Sequence, residues 1–149
     1  MYGEGVDLPA LEWSWVEERL AAALLYWCDS AASDWPHPRP VWGVWHRSLL
    51  CLSVGSPVLR RAISADGRVT VHLESATEVV LVEGAVVESA DVDSAVDAYD
   101  HKYDYSYEVS TYGRLLAVAP RKVLAWTAGG PAGREGFSAA GAWSFTAPG

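Results

Sequence analysis

The sequence predicts a mainly β protein in which short strands close into an antiparallel barrel and a few helices pack around it. Runs with strand periodicity, bounded by turn residues, recur along most of the chain, whereas few segments have helical character. Chains with many short strands and few helices commonly form closed barrels. The length of 149 residues is that of one domain, so we expect a single barrel domain over residues 1–149.

The first predicted element is a helix that begins near Ser14. Ser14 and Glu17 match the Ser-x-x-Glu capping box, which often marks the start of a helix. Apolar residues then recur at helical spacing: Trp15, Val16, Leu20, Ala23, Leu24 and Trp27. Near Leu25 the period changes from helical to strand-like, so we expect the first strand to follow directly.

The second strand is predicted to begin near Val41. His37 and Arg39 each precede a proline, which pushes their backbone into an extended conformation. Because proline is tolerated at the first residue of a strand but not in its middle, the strand should cover residues 41–46. Residues 49–54 are its expected hairpin partner.

Later elements follow from alternation and from apolar runs. Further strands are predicted at residues 69–74, 78–88, 114–126 and 143–145. The second of these is apolar on both faces in its middle, which favours a central place in the sheet. The third should be interrupted at Pro120. Residues 91–103 predict an amphipathic helix, and the Gly- and Ala-rich residues 127–141 a flexible loop.

A helix start with a possible anion site follows the hairpin. Ser56 is placed to cap this helix and Pro57 occupies its first position. The N-terminus of a helix carries partial positive charge, and no Asp or Glu occupies this first turn. Because Arg60 and Arg61 follow, the segment suits a phosphate site. A solvated basic turn is the alternative.

Composition narrows the class of protein. The net charge of −8 and the pI near 4.8 argue against a nucleic-acid or anionic-membrane partner, since such partners require a dense field of Lys and Arg. Cys28 and Cys51 have no metal-type or redox-type spacing, so we expect buried free thiols in a reducing compartment. Residues 1–10 lack the apolar core of a signal peptide, and no apolar run is long enough to span a bilayer. The expectation is a soluble cytoplasmic protein.

Gly43 is unusual because it lies inside a strand pattern between Trp42 and Trp45. A glycine at such a place indicates close approach of a ligand or of another backbone. Under the first interpretation, Gly43 leaves room for a ring that Trp42 or Trp45 walls. Under the second, Gly43 lies at a barrel bend and the tryptophans belong to the core.

Several motifs, in their order and spacing, resemble one known superfamily. They are WPHPRPVWGVW at residues 35–45, LRRAI at 59–63, RVTVHLE at 68–74, EVVLVEG at 78–84, KY at 102–103 and APRKVLAW at 119–126. Together they resemble the pyridoxamine 5′-phosphate oxidase-like superfamily, in its branch of flavin- and deazaflavin-dependent oxidoreductases. The resemblance covers residues 13–145, nearly the whole chain.

This resemblance implies an FMN-binding split β-barrel of antiparallel Greek-key type and a homodimer whose cofactor sites lie across the subunit interface. It implies hydride transfer between the coenzyme and an activated C=C or C=N bond of a small substrate. The deazaflavin coenzyme F-420 is favoured over FMN because the branch is rich in enzymes that use it. The residues matched to cofactor binding are Arg39, Val41, Trp42, Gly43, Ser53, Ser56, Arg60 and Arg61. No catalytic residue is assigned.

Two departures from the family pattern support an alternative function. The loop before the basic helix is one residue shorter than in the family, so that the family's lysine is lost or replaced by Arg60, and Ala142 stands where the family has an arginine. With fewer cations, the barrel could serve a protein that has lost redox chemistry: a cofactor-binding accessory protein or a cofactor-independent biosynthetic enzyme.

Other candidate groups have simpler explanations. Asp97, His101 and Asp104 have helical spacing that could gather a metal, but a solvated helix face is the more ordinary interpretation, and we predict no metal site. His72 is expected to be a cross-strand partner. The tyrosines between residues 99 and 112 are expected to pack or to form subunit contacts, and a proton donor among them is the alternative. Eight tryptophans are many for one small core and also favour a homodimer.

Overall fold

Seven antiparallel strands form the sheet of this protein, as a computed structural model that describes residues 7–146 shows. The strands are β1 Tyr26–Ser30, β2 Arg39–His46, β3 Leu49–Ser53, β4 Arg68–His72, β5 Glu78–Val87, β6 Leu116–Gly129 and β7 Gly136–Ser144. Their order is β3-β2-β1-β4-β5-β6-β7, and β3 also pairs with β6. This pairing closes the first six strands into a barrel, so the predicted mainly β antiparallel barrel is confirmed. Residues 1–6, which hold most of the N-terminal stretch considered for a signal peptide, lie outside the described residues.

Four α-helices accompany the barrel: α1 Trp13–Ala22, α2 Pro57–Ala65, α3 Asp91–Tyr103 and the short α4 Val109–Tyr112. The bounds of α3 are those predicted, and α2 begins at Pro57 with Ser56 as its cap, as predicted. The predicted capping box of α1 is wrong, because Glu12 is the N-cap and Ser14 lies inside the helix. Trp13 joins the helix and packs edge-on against Trp143 with ring centroids 5.3 Å apart.

Two apolar clusters hold the structure together. The first fills the barrel, where Val16 and Leu20 of α1 and Leu59 and Ile63 of α2 join the inward side chains of the strands. The second lies under α3, where Val92, Ala95 and Tyr99 cover Val44 and Cys51 on the outside of the barrel. Helix α3 therefore runs along β2, with Ser94 beside His46 and Tyr103 beside Gly43 and Trp42 in the middle of the strand.

Both prolines in the sheet are accommodated with little disturbance. Strand β2 begins at Arg39, two residues before the predicted start, with Pro40 opposite Trp27. Pro120 does not end β6, because it lies opposite Gly84 where the register between β5 and β6 shifts. A Cβ on Gly84 would lie 2.6 Å from the carbonyl oxygen of Ala119, so the strands can approach only because residue 84 is glycine.

The predicted flexible loop at residues 127–141 is wrong. Strands β6 and β7 pair through most of it, from Thr127 opposite Ala139 to Gly129 opposite Gly136. The segment before α1 pairs with the edge of β7, since Ala10 forms a parallel bridge with Ala140. A Gly- and Ala-rich segment shows no alternation of apolar and polar residues. The sequence therefore gave no sign of these strands, which are held by backbone pairing.

None of the helices within residues 7–146 combines the length and the apolar character needed to cross a bilayer.

Cys28 and Cys51 are both buried free thiols in separate clusters. Burial raises the pKa of the Cys28 thiol to about 12 and that of Cys51 to about 11, with smaller contributions from Asp29 and Asp91. Neither thiol is a ready nucleophile at neutral pH.

Candidate functional site

One end of the barrel gathers most of the residues matched to cofactor binding. Strand pairing sets Trp42 directly opposite Ser53, and the chain turns from there into α2. The Nε2 atom of His37 lies 3.3 Å from the Oγ of Ser56, which ties the proline-rich segment to the start of α2. Arg39, two residues beyond His37, is thereby held at the same end.

The N-terminus of α2 offers fewer free donors than its sequence suggests. Pro57 has no N–H group, and the N–H of Leu59 donates to the Oγ of Ser56 at 3.2 Å. The first turn keeps the N–H of Val58 and the partial positive charge of the helix. An anion placed here would therefore depend on side-chain cations.

Such cations are present, and within residues 7–146 they have no carboxylate partner. Five arginines form ion pairs with carboxylates: Arg19, Arg47, Arg68, Arg114 and Arg121. Within residues 7–146, Arg39, Arg60, Arg61 and Arg134 form none. Three of these four are the arginines matched to the phosphate of the cofactor. In a chain of net charge −8, they make a local positive region at the start of α2.

The three arginines differ in how firmly they are held. The guanidinium of Arg60 folds back along the loop before α2 and donates to the carbonyl of Val54 at 3.0 Å. Arg39 is exposed and donates to the carbonyl of Pro38 at 2.9 Å. Arg61 is exposed, and its side chain forms no hydrogen bond or ion pair within residues 7–146. The guanidinium of Arg60 is therefore held in position before any ligand binds, whereas Arg39 and Arg61 keep most of their N–H donors available.

Gly43 is required by its protein neighbours. A Cβ at this position would lie 2.6 Å from Cδ2 of Leu52 and 2.9 Å from the carbonyl oxygen of Cys51. Val41, two residues earlier, also points into the barrel core. The geometry thus favours the interpretation of Gly43 as a packing glycine, and Val41 and Gly43 can meet a ligand only through their backbone.

Of the two tryptophans considered as a wall for the ring, only Trp42 presents an exposed face. Its side chain is 48% exposed and stacks on Tyr103, with ring centroids 5.4 Å apart and planes at 23°. Tyr105 meets Trp42 edge-on at 6.1 Å. Trp45 instead donates from Nε1 to the carboxylate of Glu17 at 3.0 Å and lies half-buried beside α1. We call Trp42, Tyr103 and Tyr105 the aromatic shelf.

A network of hydrogen bonds at the end of α3 was not anticipated from the sequence. The hydroxyl of Tyr103 accepts from the N–H of Gly43 at 3.0 Å and lies 2.8 Å from the carbonyl of Leu24, to which it can donate. The Nζ of Lys102 donates to the carbonyl of Gly43 at 2.7 Å and to the hydroxyl of Tyr26 at 3.1 Å. Burial lowers the pKa of Lys102 to about 8. Lys102 and Tyr103 close α3 against β2.

Two further candidates are placed away from this site. His72 stacks on Trp27 with planes at 8°, and its Nδ1 lies 2.8 Å from the carbonyl of Leu73. No group of three His, Cys, Asp or Glu side chains within residues 7–146 is close enough together to hold a metal ion. A cavity of about 580 Å³ lies over β1, β4 and β5 and includes His72, but none of the matched cofactor residues. Of the matched residues, Arg39, Trp42 and Arg61 are exposed, whereas Val41 and Gly43 are buried.

Comparison with known proteins identifies the fold. No family model and no curated protein matches the sequence. A FAD-binding protein from Mesorhizobium loti superposes with a TM-score of 0.59 and 16% identity, over 76% of this chain and 92% of its own. An F-420 reductase superposes with a TM-score of 0.56 and 17% identity, over 72% of this chain and 94% of its own.

A third structure extends this agreement. A pyridoxinephosphate oxidase-family protein from Clostridium acetobutylicum superposes with a TM-score of 0.51 and 9% identity, over 76% of this chain and 84% of its own. All three similarities span most of both chains, and the six strands that close the barrel provide the architecture that the sequence motifs implied. The chain therefore shares the split β-barrel fold of these structures, the fold that the sequence resemblance implied.

Proposed function

We propose that this protein is an oxidoreductase that binds FMN or the deazaflavin coenzyme F-420 at the end of the barrel where α2 begins. The observation that carries this proposal is that Arg39, Arg60 and Arg61 have no carboxylate partner among residues 7–146 of a strongly acidic chain. Uncompensated guanidinium groups suit a phosphate group, which accepts bidentate hydrogen bonds from them.

The residues of the chain supply binding and orientation. Arg60 is already fixed at the loop before α2, and Arg39 and Arg61 can close on the phosphate from the surface. The ring would rest along residues 41–44 beside Trp42. Since the N–H and carbonyl of Gly43 are already bonded to Tyr103 and Lys102, its contact with a ring would be by packing. Such a coenzyme, when bound, supplies hydride for a small substrate with an activated C=C or C=N bond.

A homodimer in the cytoplasm is part of the proposal. Arg39 and Arg61 are exposed, and two aromatic side chains on or just before β2 are exposed as well, Trp42 at 48% and Trp35 at 82%. Aromatic side chains are enriched at protein interfaces, and a two-fold dimer would let the partner cover this surface. Light scattering at micromolar concentration should give twice the mass of 16.1 kDa. The monomer mass would contradict this part of the proposal.

An absorption spectrum tests the coenzyme directly. We expect bands of a flavin or a deazaflavin in the purified protein, or spectral changes when FMN or F-420 is added to it. A spectrum of protein alone, unchanged by either coenzyme, would contradict the oxidoreductase and leave the alternative of a barrel that has lost redox chemistry. One observation favours that alternative: Ala142 of β7, which stands where the family has an arginine, lies opposite Leu124 of β6 and brings no cation.

A further inference from the structure

Lys102 is a half-buried cation whose charge no carboxylate balances within residues 7–146. Its ammonium group donates to two oxygen acceptors, the carbonyl of Gly43 and the hydroxyl of Tyr26. Within residues 7–146 the third N–H meets no oxygen acceptor, and Nζ also lies 4.7 Å from the ring centroid of Tyr26. A partly desolvated charge without a counter-ion is costly, so a bound anion would offset part of that cost.

The same ammonium belongs to the aromatic shelf. Its Nζ lies 5.0 Å from the ring centroid of Tyr103, and that ring stacks on the exposed ring of Trp42. Leu24, whose carbonyl lies within hydrogen-bond distance of the Tyr103 hydroxyl, is 74% exposed at the edge of the shelf. A flat apolar surface thus adjoins a cation with a free donor.

We propose that the aromatic shelf and Lys102 form a subsite for a flat, conjugated carboxylate, with its π system against Trp42 and its carboxylate on the ammonium of Lys102. One remaining N–H suits a single carboxylate oxygen, whereas a phosphate group usually takes several donors, as the three arginines would provide. This inference rests on the proposed function, in which the carboxylate is the substrate that the coenzyme reduces.

The chain offers a direct readout, because it contains two lysines, Lys102 and Lys122. Protein labelled with ¹³C and ¹⁵N only in lysine gives two side-chain signals by NMR, which Lys102→Met and Lys122→Met assign. The full-length protein is titrated with trans-cinnamate and with trans-cinnamamide, a neutral amide with the same flat framework. Lys122 lies in β6 and is the matched control.

We expect cinnamate to shift the side-chain signal of Lys102 while that of Lys122 stays in place. Cinnamate should bind about tenfold or more tightly than cinnamamide, because it adds a hydrogen bond between charged groups. Lys102→Met should abolish this preference, Lys102→Arg should keep part of it and Lys122→Met should keep all of it. Trp42→Leu should weaken both ligands alike.

Two results would overturn the subsite: no shift of the Lys102 signal in the wild-type protein, or unchanged cinnamate affinity in folded Lys102→Met. If that variant fails to fold, the wild-type titration and Lys102→Arg still decide. The same samples are titrated with FMN and F-420. Cinnamate binding without coenzyme binding would refute the oxidoreductase alone, and coenzyme binding without a cinnamate effect would refute the subsite alone.

Discussion

The barrel interior and the surface around Trp42 use polar and aromatic groups in opposite ways. Inside the barrel, Tyr26 is fully buried, and its hydroxyl donates to the carbonyl of Leu20. Around Trp42, aromatic rings are exposed, and the arginines matched to the cofactor phosphate have no carboxylate partner in the part of the chain that the structure describes. The first region is complete within the chain. In the second region, exposed rings and unpaired guanidinium groups remain available to a ligand, as a binding surface requires.

The substitution with the largest expected effect on stability is one that creates a cavity in the barrel. Leu52 is 1% exposed and belongs to the first apolar cluster. Leu52→Ala should lower the free energy of unfolding by about 2 to 5 kcal/mol, whereas Trp42→Ala should cost less than about 1 kcal/mol. Urea denaturation measures both. Similar losses for the two variants would show that Trp42 is a core residue and not part of an open surface.

Gly43 lies at the border of the two regions and sharpens the comparison. Because a Cβ there would meet Leu52 and the backbone of Cys51, Gly43→Ala should lower the free energy of unfolding by about 1 to 3 kcal/mol. Urea denaturation and coenzyme titration of the same variant separate the two interpretations of this glycine. Unchanged stability together with lost coenzyme affinity would mean that residue 43 is glycine for the sake of a ligand.

A third prediction concerns the pH dependence of stability. The pKa of Lys102 in the folded protein is about 8, below its ordinary value of 10.5, because burial disfavours the charged form. Between these two values the unfolded chain binds more protons at this residue, so this group makes the free energy of unfolding rise with pH. Its destabilising effect is full below pH 8 and is lost by about pH 10.5.

The comparison of wild type with Lys102→Met isolates that contribution. The buried thiols act in the opposite sense, since their raised pKa values make stability fall as the pH rises. Denaturant titrations from pH 7 to 10 should show Lys102→Met gaining stability relative to wild type at the acid end. A difference between the two proteins that does not vary with pH would contradict the account of Lys102.

The smallest expected effect is at the β2–β3 turn, away from both regions. Arg47 and Ser48 have φ values of 49° and 62°, a conformation that favours glycine. Ser48→Gly should raise the free energy of unfolding by about 0.5 to 1 kcal/mol without altering coenzyme binding. Thermal unfolding measures the gain. A loss of stability would show that Ser48 contributes contacts that outweigh its backbone strain.

The sequence predicted best where the signal was local. Ser56 and Pro57 define the start of α2 within two residues, and the amphipathic pattern of α3 gave its bounds. The β6–β7 hairpin was missed because Gly and Ala carry no alternation. The contact of Lys102 with Gly43 joins residues 59 apart in the chain, and no local pattern could predict it. The matched arginines could be named from the sequence, but whether a carboxylate lies beside each of them depends on the tertiary structure.

The central claim is that arginines at the start of α2 hold the phosphate of a flavin-type coenzyme, and a titration by fluorescence tests it most directly. FMN and riboflavin, which lacks the phosphate, are titrated against wild type, Arg39→Ala, Arg61→Ala and Arg134→Ala. Arg134 also lacks a carboxylate partner within residues 7–146 but lies in the β6–β7 turn, and so it is the matched control.

A hydrogen bond to a charged group is worth about 1.5 to 3 kcal/mol, so Arg39→Ala and Arg61→Ala should each weaken FMN binding by about ten- to a hundredfold. Riboflavin affinity should be unchanged, and Arg134→Ala should bind both ligands as wild type does. Equal losses for FMN and riboflavin would mean that the arginines only support the fold. Unchanged FMN affinity in both variants would contradict the claim.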